Sequence, residues 1–344
     1  MKNVLAIVIV AILAITLFSC GSGNKKNDIT KTKVSDTLSP EITKLNAKIA
    51  ANPDNPDLYN ERAKLLIEKQ KLDEAFSDIR TALNIDSSKA QYFLTLSDVY
   101  FAMGKIKNCK RAIEKSLALD PDYAEADLKY AELNLYFKEY KKTIEYIDKA
   151  LAIDKINAKA YFMKGMTYKE TGDTAKAVSN FKKTIDHDPE YYHAFIQLGI
   201  LFSVKKNKLA VDYFMNAIKL NPKSTEARYG LGMFYQETEE YDKAIIEYDS
   251  ILRIDPKYKF AHYNLGYVHL VYLKVYSQSV KHFTNAITCD PKYVEAYYNR
   301  GYSYELMGDI QNAKTDYNKA LELRPNYQKP IDGLNRLDGL MKGK

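Results

Sequence analysis

The residues able to do chemistry in this 344-residue chain are few and scattered. The five histidines are His187, His193, His262, His269 and His282. None forms His-Glu-x-x-His, and no Cys/His cluster has the spacing of zinc ligands. No Gly-rich phosphate loop occurs, and no Gly-x-Ser-x-Gly turn that would expose a nucleophile. Acidic pairs such as Glu239-Glu240 fall in turn-like or outer-face text, where solvation is their default role. His187 precedes Asp188-Pro189 and reads as a cation at a helix end. His269 falls at an aromatic packing position of the pattern described below and reads as core. The three cysteines, Cys20, Cys109 and Cys289, make no disulfide framework. The chain is therefore expected to be non-catalytic, with no metal and no cofactor.

Composition points to helix. Ala, Leu, Lys and Glu are plentiful, and only 14 Gly and 10 Pro occur, which argues against a long disordered or all-β chain. The 51 basic and 44 acidic residues, net +7, are interspersed rather than clustered. They read as solvated helix faces, not as a nucleic-acid footprint. With 29 Tyr and no Trp, aromatic packing is mostly tyrosine.

The first residues read as an address. Met1 and Lys2 give a short positive start, and Val4 to Phe18 is a nearly unbroken apolar run. A membrane-spanning helix needs about 20 residues, so this run suits a signal sequence better. It ends Leu17-Phe18-Ser19-Cys20-Gly21, which resembles the lipobox of bacterial lipoproteins, with Phe18 bulkier than usual. The resemblance implies a signal peptide over 1–19, cleavage before Cys20 and lipid (palmitate among the acyl chains) on Cys20. The alternatives are an uncleaved signal-anchor helix, or a plain secretory signal with an incidental cysteine. Residues 20–39 are polar and read as a lipidated flexible tether with a reach of about 25 Å.

The rest of the chain repeats. Pro189, Pro222, Pro256, Pro291 and Pro325 are spaced by 33, 34, 35 and 34 residues, and Pro121 precedes Pro189 by 68. Each ends similar text, as in Ala-Leu-Glu-Leu-Arg-Pro at 320–325. This resembles the tetratricopeptide repeat (TPR). Eight repeats follow: 56–89, 90–123, 124–157, 158–191, 192–224, 225–258, 259–293 and 294–327. Position 8 reads Ala63, Ser97, Ala131, Gly165, Gly199, Gly232, Gly266 and Gly301. Position 20 reads Ala75, Cys109, Thr143, Ala177, Ala210, Ala244, Ser279 and Ala313. All are small, as two closely packed helices require. Position 27 is small except at Ile251. Cys109 is thereby a packing residue, and Cys109 and Cys289 lie five repeats apart, beyond disulfide reach. Position 7 departs from Leu at Arg62, Lys164 and Arg300. Position 32 lacks Pro at Ser87 and Lys155, which predicts softer helix stops there. The missing residue of repeat five and the extra residue of repeat seven are both expected in the turn between helices.

The expected fold is all-α: a right-handed superhelical solenoid of about eight helix-turn-helix TPR units with capping helices at both ends. The N-terminal cap is read at 40–55, starting at Ser39-Pro40-Glu41 with a stripe of Ile42, Leu45 and Ile49. The repeats span 56–327. A C-terminal capping helix and tail, 328–344, carries Ile331, Leu334 and Leu337.

The resemblance implies that the first helix of each repeat lines a groove, through positions 2, 5, 9, 12 and 13. Positions 5 and 9 read Asn60 and Lys64, Leu94 and Asp98, Leu128 and Glu132 in the first three repeats. In the last five they read Phe162 and Met166, Ile196 and Ile200, Tyr229 and Met233, Tyr263 and Tyr267, Tyr298 and Tyr302. These ten are the candidate binding residues for an extended or helical protein segment. The competing role is packing within the array. Two familiar groove chemistries are missing. Chaperone-tail clamps resemble Lys at position 5 with Asn at 9, a pair found in no repeat. Sugar-transferase arrays resemble a continuous Asn ladder at position 6, where only Asn264 and Asn299 fit, with Asn60 one position earlier.

The expected function is a protein–protein interaction scaffold or assembly factor, with a protein or peptide in the groove and the membrane contacted through lipid on Cys20. The expected location is the cell envelope, on the periplasmic face of the outer membrane. Two other readings stay open: a subunit of a secretion or outer-membrane assembly machine, and a glycan-binding lipoprotein.

Overall fold

A computed structural model of the chain describes residues 39–342. The expected signal peptide, Cys20 and tether lie outside the described residues. Two compact units divide at Asp54 and Asn55.

The first unit contributes one described helix, Pro40–Ala51. Ser39 caps it, its side chain accepting from the Ile42 N–H at 3.4 Å, and Pro40 occupies the first turn, where no amide partner is lost. Ile42, Leu45 and Ile49 form its buried stripe.

The second unit is a helical repeat solenoid. First helices begin at Pro56, Ala90, Ala124, Ala158, Tyr192, Thr225, Lys259 and Val294, each followed by an antiparallel second helix. The helix Gln328–Lys342 follows the last pair, and its Leu337 is fully buried. No strand occurs among the described residues. None of their helices is long and apolar enough to cross a membrane.

Close packing within each pair rests on the small positions. Every residue named above at position 20 is at most 1% exposed, as are Ala63, Ser97 and Ala131 at position 8. Where position 8 is glycine, an aromatic ring of the second helix fills the space. A Cβ on Gly165 would lie 2.7 Å from Phe181, on Gly199 2.7 Å from Phe214 and on Gly232 2.7 Å from Tyr248. Where position 8 is Ala or Ser, the facing residue is Ile79, Ile113 or Ile147, all fully buried. Small meets large and medium meets medium, so the helix separation is kept.

The turn between paired helices uses one left-handed residue in every repeat: Gln70, Gly104, Lys138, Gly172, Lys206, Glu239, Lys274 and Gly308. Each receives the chain at the end of its first helix, where the left-handed conformation terminates helical hydrogen bonding.

Two expectations need correction. The second helices of repeats one and three stop as sharply as the rest, at Ile85 and Ile153. The stop is set by the residue before position 32. Asp86 and Asp154 accept backbone N–H bonds from Ser88 (2.8 Å) and Ile156 (3.2 Å). Asp120, Asp188, Asn221, Asp255 and Asp290 do the same in other repeats. Second, the extra residue of repeat seven is absorbed inside the first helix, which widens into a π-helical turn over Val268–Tyr272. In repeat five the first helix is a residue shorter and the connection runs from Val204 to Lys208.

Candidate functional site

The first helices carry positions 5 and 9 one turn apart, so they form a double row along the array. Ile196 is buried at 1% exposure, whereas Phe162, Met166, Ile200, Tyr229, Met233, Tyr263, Tyr267, Tyr298 and Tyr302 are half-buried. The rings pair within repeats: Tyr263 with Tyr267 at 6.4 Å, and Tyr298 with Tyr302 at 6.3 Å. They therefore serve packing within the array while remaining partly exposed.

A second aromatic row completes the first and was missed in the sequence reading. The residue that closes a repeat packs its ring against position 5 of that repeat: Tyr191 on Phe162 at 4.9 Å, Tyr258 on Tyr229 at 5.9 Å, Tyr293 on Tyr263 at 4.9 Å and Tyr327 edge-on to Tyr298 at 5.6 Å. The signal was available, since each of these tyrosines stands two residues after a periodic proline. Phe260, at position 2, was also passed over. It is 36% exposed and touches Tyr229, Tyr258 and Tyr293 at 6.0–6.3 Å.

Two position-6 asparagines hold the tyrosine row. Asn264 donates to the Tyr229 hydroxyl at 3.3 Å, and Asn299 donates to the Tyr263 hydroxyl at 2.9 Å. Both asparagines are buried at 7% exposure, so these bonds satisfy groups that would otherwise be costly to bury. Burial raises the Tyr229 and Tyr263 phenols above the ordinary range, so both stay protonated.

The amino-terminal part of the face is polar. Asp57 accepts from the Tyr92 hydroxyl (2.5 Å), Gln91 Nε2 (3.1 Å) and Lys89 Nζ (2.9 Å). With Asn60, Lys64 and Tyr123 it lines a cleft of about 880 Å³. Asn60 is 4% exposed and its Oδ1 has no hydrogen-bond partner among the described residues. Asp98, Lys129 and Glu132 follow as a linked set, with Lys129 2.8 Å from Asp98 and 3.1 Å from Glu132. Leu94 and Leu128 lie beneath, each 4% exposed.

His269 lies against His282 at 5.5 Å with parallel rings, and His282 lies 6.3 Å from His262. All three Nδ1 atoms are buried without hydrogen-bond partners among the described residues. No group of three or more His, Cys, Asp or Glu among the described residues is placed to hold a metal. His187 ends its helix and stacks on Tyr161 at 5.2 Å. Cys109 is 1% exposed, and burial pushes its thiol up to about 12, which removes the reactive thiolate.

An array of paired helices with small crossing residues and a lined face is a helical-repeat binding scaffold in architecture. Tetratricopeptide repeat models match residues 56–89, 90–123, 146–179, 201–265 and 294–327, and the chain belongs to the tetratricopeptide repeat family. Anaphase-promoting complex subunit 3 of Schizosaccharomyces pombe is 26% identical over 199 residues, 58% of this chain and 30% of that protein. Hsp70-Hsp90 organizing protein 2 of Arabidopsis thaliana is 22% identical over 281 residues, 78% of this chain and 42% of that protein. The chain thus spans less than half the length of these curated relatives. The C-terminal part of a TPR repeat-containing protein from Cytophaga hutchinsonii has the same fold, with a TM-score of 0.62 at 19% identity over 70% of this chain and 99% of that one. TPR arrays serve as protein–protein interaction scaffolds that take peptide or protein partners in the groove, and the fold is typically non-enzymatic.

Proposed function

We propose that this chain is an envelope scaffold, anchored through lipid on Cys20, that binds a protein segment along the groove from Phe162 to Tyr302. The observation that carries the groove reading is the double aromatic row. In repeats four, six, seven and eight, position-5 rings packed against repeat-closing tyrosines form a half-exposed apolar face, with Ile200 between them in repeat five, and this suits an extended or helical partner. Tyr side chains supply large contact area at little cost in conformational freedom, and Met adapts to irregular partner surfaces. The relatives are consistent with this reading, since one is named as a subunit of a complex and another as an organizer of two chaperones.

The test is photo-crosslinking in cells from Phe260, whose ring is partly exposed, and from Lys243 on an outer helix as control. One protein captured reproducibly from Phe260 and not from Lys243 supports the groove. Capture from Lys243 alone moves the interface to the outer face. The anchor is tested separately by labelling with an alkyne fatty acid. Wild type carries label, and Cys20→Ser carrying equal label would exclude lipidation at Cys20.

A further inference from the structure

Most charges on the groove face already have partners. Lys129 is held between Asp98 and Glu132. Lys259 meets Asp290 at 2.6 Å, Arg324 meets Glu295 at 2.8 Å and Arg336 meets Glu305 at 2.8 Å.

Two half-buried charges near the middle of the face do not. Lys169 stands in the last turn of the first helix of repeat four, and it is half-buried. Its Nζ donates to Gln197 Oε1 at 2.6 Å, but no carboxylate among the described residues forms an ion pair with it. Gln197 is itself 9% exposed, so this bond holds the ammonium in place from a buried neighbour. Glu226 stands in the first turn of the first helix of repeat six, also half-buried. Its contact is the Tyr192 hydroxyl at 3.5 Å, and no cation among the described residues pairs with it. Burial holds Lys169 below the usual lysine range and Glu226 above the usual carboxylate range. Each feels the other's field without forming an ion pair. His193, between them in sequence, also lies near Glu226.

Half-buried charges without counter-charges are costly in the free protein and gain most from a partner that supplies them. The two flank the first helix of repeat five, whose Ile196 and Ile200 are apolar. We propose that the bound segment carries one acidic and one basic side chain on either side of an apolar residue, the acid pairing with Lys169 and the base with Glu226. This rests on the groove reading and specifies its occupant: a protein segment of mixed charge, read in one direction only, because the two charges sit on different repeats.

The test is selection of random dodecapeptides on phage against the full chain in detergent, with Tyr229→Asp as the groove control. Lys169→Met and Glu226→Gln each remove one charge at similar size, and circular dichroism checks that they stay folded. The expected peptides carry an acid and a base flanking an apolar residue. They should bind each neutral variant at least tenfold more weakly, and the double variant Lys169→Glu, Glu226→Lys should select the reverse order of charges. Peptides that need Tyr229 but bind both neutral variants within twofold of wild type overturn the inference and leave the groove reading standing. Enrichment of acid alone or base alone also overturns it. Selection of no peptide that depends on Tyr229 overturns both.

Discussion

Gly165 lies so close to the ring of Phe181 that a Cβ there would stand 2.7 Å from it. The same relation joins Gly199 to Phe214, 15 residues on, and Gly266 to Phe283, 17 residues on. Insertion and deletion thus leave the contact intact while changing its sequence spacing. Gly165→Ala adds a methyl to a packed site and is expected to destabilise by about 1–3 kcal/mol, despite alanine's better helix propensity. Phe181→Ile alone leaves a cavity. Together they recreate the Ala63–Ile79 pairing of repeat one, so the double variant should recover at least about 1 kcal/mol relative to the sum of the singles. Urea midpoints of the four proteins measure this. A strictly additive pair would show that ring and glycine do not couple.

The left-handed turn residues make a second prediction. Gln70, Lys138, Lys206, Glu239 and Lys274 adopt positive φ with a side chain attached, between 49° and 66°. Such a conformation costs roughly 1 kcal/mol for a non-glycine residue. Lys138→Gly is expected to stabilise by about 0.5–1 kcal/mol, because that backbone strain outweighs the entropy glycine adds to the unfolded chain. Gly172→Ala should lose a similar amount. Thermal midpoints check both, and the two shifts should have opposite signs. Glu239 is a poorer test, since it borders the Lys243–Glu240 ion pair.

What could be read in advance depended on whether a contact repeats with the chain's own period. The small positions did: Ala75, Ala177 and Ala313 recur in register because every crossing needs them. The first-helix columns at positions 5 and 9, from Phe162 to Tyr302, were legible for the same reason. Their degree of burial was not. Tyr229 packs against Tyr258, and that contact links a first helix to the loop that closes the repeat, outside the helical positions counted. The Lys169–Gln197 bond joins position 12 to position 6 of the next repeat, a diagonal that no single column of the pattern contains. The helix stops were credited to proline because proline is conspicuous, although Asp86 and Asp154 act without it. The π-helical turn depends on which backbone bonds yield to an extra residue, and side-chain periodicity carries no information on that.

The helix-stop assignment can be checked in repeat three. Asp154 Oδ1 accepts from the Ile156 N–H at 3.2 Å and its Oδ2 accepts from Asn157 Nδ2 at 3.0 Å. Asn157 in turn caps the next helix through the Ala160 N–H at 2.9 Å. Asp154→Ala removes a turn bond and loosens the following cap, so a loss of about 1–2 kcal/mol is expected. Lys155→Pro places proline where most repeats have it and should stabilise by about 0.4–1 kcal/mol, chiefly by restricting the unfolded chain. If Lys155→Pro gained more than Asp154→Ala lost, proline rather than aspartate would be the principal stop.

Two buried ionisable groups give pH dependences of opposite sign. His282 faces His269 and His262 and has Lys281 beside it; burial first, and then these neighbours, lower its imidazole to about 4. An unfolded histidine titrates near 6.5. Between those values the unfolded chain binds the extra proton, so stability is full above about pH 6.5 and falls as pH drops towards 4. The loss is about 2–3 kcal/mol for this one group. Asp127, 3% exposed, behaves in reverse. Burial raises its carboxyl to about 6, only partly offset by Lys149 and reinforced by Asp122. Here the folded chain holds the proton more tightly, so the site favours folding at low pH and costs stability as pH rises through 6. Asp127→Asn should therefore stabilise by about 1–2 kcal/mol at pH 7.5, with the gain shrinking towards zero at pH 4. His282→Leu should flatten the acid side of the wild-type profile. Urea unfolding of the three proteins at half-unit steps from pH 4 to 7.5 separates the two terms. An Asp127→Asn difference that stays constant across that range would mean the carboxylate keeps its ordinary pKa when folded, and that burial at position 127 is relieved by a partner.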